Sequence, residues 1–339
     1  MQRLVSIVVG ACLLGAGAAF AQSAPIKITW TDPDDPQTVA TAAEMHVLKS
    51  SLERFSGGKI TAELYPNGQL GDQKSMIQQV RRGTITIANI ASGVLASLYA
   101  PKLGIVDLPF LFNSRAHLRR ALSNDDPFIA KLLDDVAKES GIRILSLNPY
   151  GFRHLTTKDK AVHEPKDMAG LKIRTMEIVP HQEMMKALGA SPVPIPYLEL
   201  YTSLQTGVVF GQENTPSNMI QQKFYQVQKN LTATQHVMTV GALIANEAWY
   251  QSLSPDERKA LRDAVREADL AHDGVGAIQD YLAMEKLKSL GMAIYIPTPD
   301  EVTKFRKAVE GPTREWAEKQ WGKHFVDQFY AIIDVAAKK

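Results

Sequence analysis

The sequence predicts an α/β protein of two domains that share a long helix and enclose a cleft. Three observations predict it. The chain has 339 residues, and at roughly 100–200 residues per domain that is two domains, three at most. Its first third alternates strand and helix patterns, the order that builds a parallel or mixed sheet with helices on its faces. Near the C-terminus one helical pattern runs for about 36 residues, which at 1.5 Å each is about 54 Å, longer than a small domain is wide.

The elements follow in order. Ile26-Lys27-Ile28-Thr29-Trp30 reads as a short strand, and the Pro/Asp-rich turn Asp32 to Pro36 leads to a helix from about Thr38 to Phe55, stopped by Gly57-Gly58. Ile60 to Tyr65 alternates as a strand and Pro66-Asn67-Gly68 turns it. A helix over Ser75–Arg82, a strand over Ile85–Ile90, a helix over Asp126–Ser140 and a strand over Ile142–Leu147 complete the first unit. A second unit starts near Tyr150, with Leu155-Thr156-Thr157 extended, a strand over Leu171–Arg174 and a helix over Pro180–Leu188. Pro192, Pro194 and Pro196 then hold a stiff, extended path. Gly207 and Gly211 flank what reads as an apolar strand, Val208-Val209-Phe210.

Ser254-Pro255-Asp256-Glu257 is a capping box with proline at the first helical position, opening the long helix that Gly291 ends. Gly274 and Gly276 weaken its middle by roughly 1 kcal/mol each relative to alanine. A helix this long is most stable when it runs along both domains. The division expected is a leader at 1–21, a first domain at 22–150 plus about 240–278, and a second at 151–239 plus about 279–339.

The leader is legible. Arg3 precedes an apolar run from Leu4 to Phe20, and Ala19-Phe20-Ala21 fits an A-x-A processing site. This is the pattern of a cleaved secretory signal peptide, too short for a membrane span, and it places the mature protein in the periplasm. Cleavage after residue 21 removes Arg3, taking the net charge from +2 to +1, and also removes Cys12, the one cysteine. Without disulfides the exported chain must be stable through its core alone. Its composition, 45% hydrophobic and 22% charged, is that of a soluble globular protein, and the near-neutral balance gives no support for nucleic-acid binding.

Catalytic signatures are missing. No G-x-S-x-G elbow, P-loop or G-x-G-x-x-G occurs, and the eight histidines form no H-E-x-x-H or H-x-H pair. No catalytic residue, metal ligand or cofactor is therefore assigned. What stands out is polar residues in apolar surroundings. Arg153 lies in Tyr150-Gly151-Phe152-Arg153-His154 and Arg174 closes a strand; each guanidinium fork matches a carboxylate, although surface solvation or an internal ion pair would explain either. Asn214 follows the apolar run in Gln212-Glu213-Asn214-Thr215-Pro216, where it could donate to a ligand oxygen or simply open a turn. His154, near these residues, reads as a surface or supporting group.

Taken together, Tyr65-Pro66-Asn67-Gly68-Gln69-Leu70-Gly71, Gly151-Phe152-Arg153, Gly170-Leu171-Lys172-Ile173-Arg174 and Leu204 to Asn214 resemble the substrate-binding proteins of tripartite ATP-independent periplasmic (TRAP) transporters, dicarboxylate-binding type. The resemblance spans Ile26 to about Ala337. It implies a two-domain periplasmic binding protein fold whose cleft closes on a small organic acid and delivers it to membrane permease subunits. It also implies that Arg174 grips the ligand carboxylate, that Arg153 is a second arginine near it, that Asn214 hydrogen-bonds to it and that Tyr197 packs against it. Trp30, Asn89 and Ser92 are the expected contacts from the first domain. Phe210 stands where the family usually has Asp, and Ala91-Ser92-Gly93 where sialic-acid binders carry Glu. A compact monocarboxylate is the expected ligand, ahead of a sugar acid or C4-dicarboxylate. The expected state is a monomer. The competing readings are a periplasmic enzyme acting on small acids and the binding protein of an ATP-driven importer.

Overall fold

Residues 24–338 are described by a computed structural model. The chain runs β1 (Ile26–Thr29), α1 (Ala40–Phe55), β2 (Ala62–Tyr65), α2 (Gln73–Arg82), β3 (Ile87–Ala91), α3 (Ser92–Tyr99), α4 (Arg115–Ala121), α5 (Pro127–Ser140) and β4 (Ile142–Thr157). It continues through β5 (Lys172–Thr175), α6 (Val179–Ala187), β6 (Ser191–Pro194), α7 (Leu200–Gln205), β7 (Gly211–Asn214), α8 (Pro216–Gln221) and β8 (Asn230–Asn246). The last elements are α9 (Glu247–Ser252), α10 (Pro255–Ser289), β9 (Ala293–Tyr295), α11 (Pro299–Trp321) and α12 (Lys323–Ala337). Among the described residues no helix is long and apolar enough to cross a membrane. The leader at 1–21 lies outside the described residues.

The strands form one mixed sheet in the order β2-β1-β3-β8-β4-β7-β5-β6, with β9 alongside β8. Its two wings are parallel, β2-β1-β3 on one side and β7-β5-β6 on the other, and the antiparallel pair β4/β8 joins them. The two extended stretches that the sequence separates at Leu147 and Leu155 are a single strand, β4. Its inward Ile142 and Ile144 pack in the first core, and Leu155 packs in the core of the other wing. The pairing slips at Pro149/Gly151 and Arg153/Leu155, bulges that bend a strand and re-aim its side chains. Gly151 has φ 138 at this bend, a conformation that favours glycine.

One expected element is corrected. Val208-Val209-Phe210 is a turn, not a strand, and Val208 is exposed; β7 begins at Gly211, where a Cβ would lie 2.3 Å from the Thr156 carbonyl oxygen. The apolar run misleads because Val209 alone is buried, as a plug in the core around Leu200 and Phe224.

The long helix forms as the capping box predicts, with Ser254 and Glu257 capping one another. Leu261, Ala264 and Val265 pack under β1 with Trp30 and α1, whereas Leu287 packs with Met219 and Phe224 of the other wing. α10 therefore spans both lobes. At the C-terminus, Phe305 and Val309 of α11 join the core around Met184, and α12 crosses back, sinking Phe329 and Ile333 among the residues of α4 and α5.

Candidate functional site

A small pocket lies where the two wings meet. Thr31 and Asp32 after β1, Gln73 of α2 and Ala91 of β3 line it from one side. Tyr150 and Arg153 of β4 and Thr239 of β8 form the bridge, and Arg174, Met176, Tyr197, Asn214 and Asn218 close the far side. A second lobe extends past Arg174 to Asp72, Glu177 and Leu198, beside an ion pair of 2.6 Å between Lys74 on α2 and Glu177 of the opposite wing.

Arg174 is placed by the proline-rich segment. β6 lies at the sheet edge, where proline is tolerated because no ladder donor is needed, and it pairs Arg174 with Val193. The stiff path brings the Ile195 carbonyl onto the guanidinium, which donates to it from Nε at 2.9 Å and Nη2 at 2.7 Å. Nη1 is buried and has no hydrogen-bond partner among the described residues. Burial, and then the charge of Arg153, draw the guanidinium down to about 10, so it is a cation at neutral pH. A buried, unpaired cationic donor is costly unless an anion meets it.

Arg153 is in a different state. Nε bonds Glu213, Nη2 bonds the Glu213 carboxylate at 3.0 Å and its carbonyl, and Nη1 bonds Asn214 at 3.3 Å and Thr239 at 3.1 Å. All five N–H donors of a guanidinium are used inside the protein. Burial alone would raise Glu213, but Arg153 and the hydrogen bond with His236 hold it well below the usual carboxylate range. Of the two openings that the sequence leaves for Arg153, the structure shows an internal ion pair at the pocket wall.

Asn214 ends β7 opposite His154 of β4. Its Oδ1 accepts from Thr215 N at 2.9 Å, Asn218 Nδ2 at 3.0 Å and Arg153. These bonds fix the amide so that the NH2 group is the free end. His154 is buried rather than on the surface, accepting from Gln235 N at 3.3 Å, and burial takes it down to about 3. Tyr197 has a buried hydroxyl that faces Gln222 without a normal hydrogen bond; burial and then Asp32 raise its pKa well above the usual tyrosine value.

The three contacts expected from the first lobe are not at the pocket. Trp30 is fully buried with Met45 and Leu48 because the residue after β1 turns toward α1. Asn89 points into the same layer, donating to Glu44 at 2.9 Å and accepting from the Tyr150 hydroxyl. Ser92 donates to Asp107 at 3.2 Å. Asp32, Thr31, Gln73 and Tyr150 stand in their place. Tyr150 is legible as the aromatic opening Tyr150-Gly151-Phe152-Arg153; nothing in the sequence singles out Gln73 or Thr239. Tyr150 is seated by Gly241 of β8, where a Cβ would lie 2.2 Å from its ring. Beneath it Glu44 also accepts from Asn148 and His272, both at 2.9 Å, tying α1, β3, β4 and α10 into one buried polar layer.

The arrangement is suited to hold an anionic ligand. It offers a fixed guanidinium, a fixed amide NH2 and an aromatic wall. Among the described residues no group of three or more His, Cys, Asp or Glu could hold a metal ion. Residues 32–320 match the family model described as bacterial extracellular solute-binding protein, family 7. A solute-binding protein of Verminephrobacter eiseniae is 33% identical over 297 residues, 86% of each chain. Two solved structures are similar throughout. A TRAP periplasmic solute-binding protein from a Polaromonas species, bound to D-erythronate, has a TM-score of 0.84 and 30% identity over 91% of this chain and 99% of its own. The sugar acid binding protein of Advenella mimigardefordensis, in complex with galactonate, has a TM-score of 0.86 and 28% identity over 93% of this chain and 99% of its own.

Proposed function

Because the chain belongs to bacterial extracellular solute-binding protein family 7, we propose that it captures a small organic acid on Arg174, in the cleft between its lobes, and hands it to the permease of a TRAP transporter. The observation that carries this reading is the buried, unpartnered Nη1 of Arg174 at the pocket wall. A carboxylate there would be both neutralised and hydrogen-bonded, which desolvation requires. Asn214 would donate its NH2 to the same ligand and Tyr197 would cover it.

The family works in transport and in the periplasm, so binding without turnover, after export by the leader at 1–21, is the reading for this chain. The same membership favours a TRAP permease over an ATP-driven importer. The Polaromonas and Advenella relatives hold D-erythronate and galactonate, both carboxylates, which supports an acid here.

A ligand shifts the open–closed balance only by binding the closed form better. Contacts from both sides supply that difference: Arg174, Tyr197 and Asn214 from one lobe, Thr31, Asp32 and Gln73 from the other. The lobes are taken as 22–150 plus about 240–278 and 151–239 plus about 279–339, with β4, β8 and α10 crossing between them and α12 reaching back. The protein would act as a monomer. Calorimetric titration and thermal shift of the purified protein against a panel of organic acids test the proposal. A true ligand at 100 times its Kd adds about 2.7 kcal/mol of stability, and the response should vanish in Arg174→Ala. Indifference to every acid offered, or an unchanged affinity in that variant, overturns it.

A further inference from the structure

The charges around the pocket are unequal. Its cations are Arg174 and Arg153, the second already neutralised by Glu213, and the lobe beyond Arg174 adds none. Its acids are more numerous. Asp72 accepts from Ser75 N as the cap of α2 and Glu177 is paired with Lys74. Asp32 differs from both. It is 5% exposed, one carboxylate oxygen accepts from Thr41 at 2.8 Å, and among the described residues the other has no hydrogen-bond partner. It makes no ion pair among the described residues, since the nearby His272 is held by Glu44. Asp32, Arg174 and Tyr197 line the same pocket.

We propose that Asp32 is the specificity-determining residue of the cleft, selecting a monocarboxylate that carries a hydroxyl or ammonium donor at the end away from its carboxylate, and rejecting dicarboxylates. The inference rests on the capture of a carboxylate by Arg174 and extends it to the other end of the ligand. With Arg174 engaged, a second carboxylate would enter a low-dielectric space holding an unpaired acid and no free cation. Like charges at such contacts cost several kcal/mol, enough for discrimination of at least a hundredfold. A hydroxyl or ammonium placed there donates to the vacant oxygen of Asp32 and relieves its burial. An alkyl end of the same size does neither and leaves that oxygen unpaired, which a site built around a polar group penalises. Negative discrimination of this kind is visible only in the binding ratios.

The test is calorimetry with glycerate, 4-aminobutyrate, butyrate and succinate against the wild type, Asp32→Asn and Asp32→Ala. The wild type should take glycerate or 4-aminobutyrate at least tenfold more tightly than butyrate and a hundredfold more tightly than succinate. Asp32→Asn should narrow the gap to succinate at least tenfold, and Asp32→Ala should bring butyrate level with glycerate. Asp32→Asn keeps the hydrogen bond to Thr41, and a native melting temperature shows that it folds. Succinate as the preferred ligand, or ratios that neither variant alters, overturns the role of Asp32 while leaving capture by Arg174 intact. Failure of these four acids and of every other acid in the panel to bind the wild type overturns the two together.

Discussion

Arg153 and Glu213 neutralise each other across β4 and β7, one strand away from the pocket's incompletely paired guanidinium: β7 pairs Gln212 with Arg174 on its other edge. The sheet thus sets a satisfied arginine beside an unsatisfied one. One holds the wall in place and the other is left to meet an anion.

Removing half of the satisfied pair should be severe. Arg153→Met leaves Glu213 buried with His181 and His236 as its remaining basic neighbours among the described residues, and breaking such a pair costs about 3–5 kcal/mol. The double variant Arg153→Met with Glu213→Gln should recover most of that loss. Urea unfolding of the two single variants and the double variant measures the coupling. Additive losses would show that the pair does not act as a unit.

Arg174 should behave in the opposite way. Its guanidinium is desolvated and incompletely paired in the empty protein, so Arg174→Ala should leave the melting temperature unchanged or raise it. Ligand affinity should fall at least a hundredfold, since the lost contact is charge-assisted and worth about 1.5–3 kcal/mol before the ion attraction is counted. Arg174→Lys retains the charge without the planar fork and should lie between them. A large drop in stability without ligand would mean that Arg174 is structural.

Much of this is legible in the sequence. The helix caps at Ser254 and the glycine stops are local, and they appear where local chemistry puts them. The long helix spans both lobes because its length leaves it no other way to bury its ends. β8 is not legible, for its even apolar run Val237–Ala245 shows no period. It is a strand buried on both faces at the centre of the sheet, where such runs belong. Trp30, Asn89 and Ser92 mislead for another reason. Sequence locates the strand end near the cleft, but which side chain turns outward depends on the register between β1, β3 and α1. The state of Arg153 cannot be read either, because its partner lies 60 residues away.

Stability should respond to pH through Asp107 and His181, which meet between the lobes at 3.8 Å. Burial pushes Asp107 up to about 7, against the hydrogen bond from Ser92. From about pH 4 to 7 the folded protein keeps a proton that the unfolded chain has released, so this group's contribution falls as pH rises, by at most about 1.4 kcal/mol per unit. Burial takes His181 down to about 3. Between pH 3 and 6.5 the unfolded chain holds the extra proton, and its contribution rises with pH. The two oppose each other over about pH 4–6.5 in the wild type. Asp107→Asn removes the falling contribution, so the variant's stability should climb faster than the wild type's across that window. Denaturation at half-unit pH steps checks it, and parallel curves would contradict it.

The two glycines of α10 should part company when replaced by alanine. Gly274 is exposed, with nothing within 4 Å of the place a Cβ would take, so Gly274→Ala should stabilise the helix by about 0.5–1 kcal/mol. At Gly276 a Cβ would lie 2.8 Å from both terminal nitrogens of Arg115. That arginine clamps the crossing, donating to the Pro149 carbonyl at 2.5 Å, the Tyr150 carbonyl at 3.0 Å and Asp280 at 2.6 Å. Gly276→Ala gains the same helix propensity but must push the clamp off the backbone that carries Tyr150 into the pocket. It should therefore lower the melting temperature and weaken ligand binding together, whereas Gly274→Ala leaves affinity alone. If both substitutions stabilise equally, the clamp has room to move and the glycine at 276 is not there for Arg115.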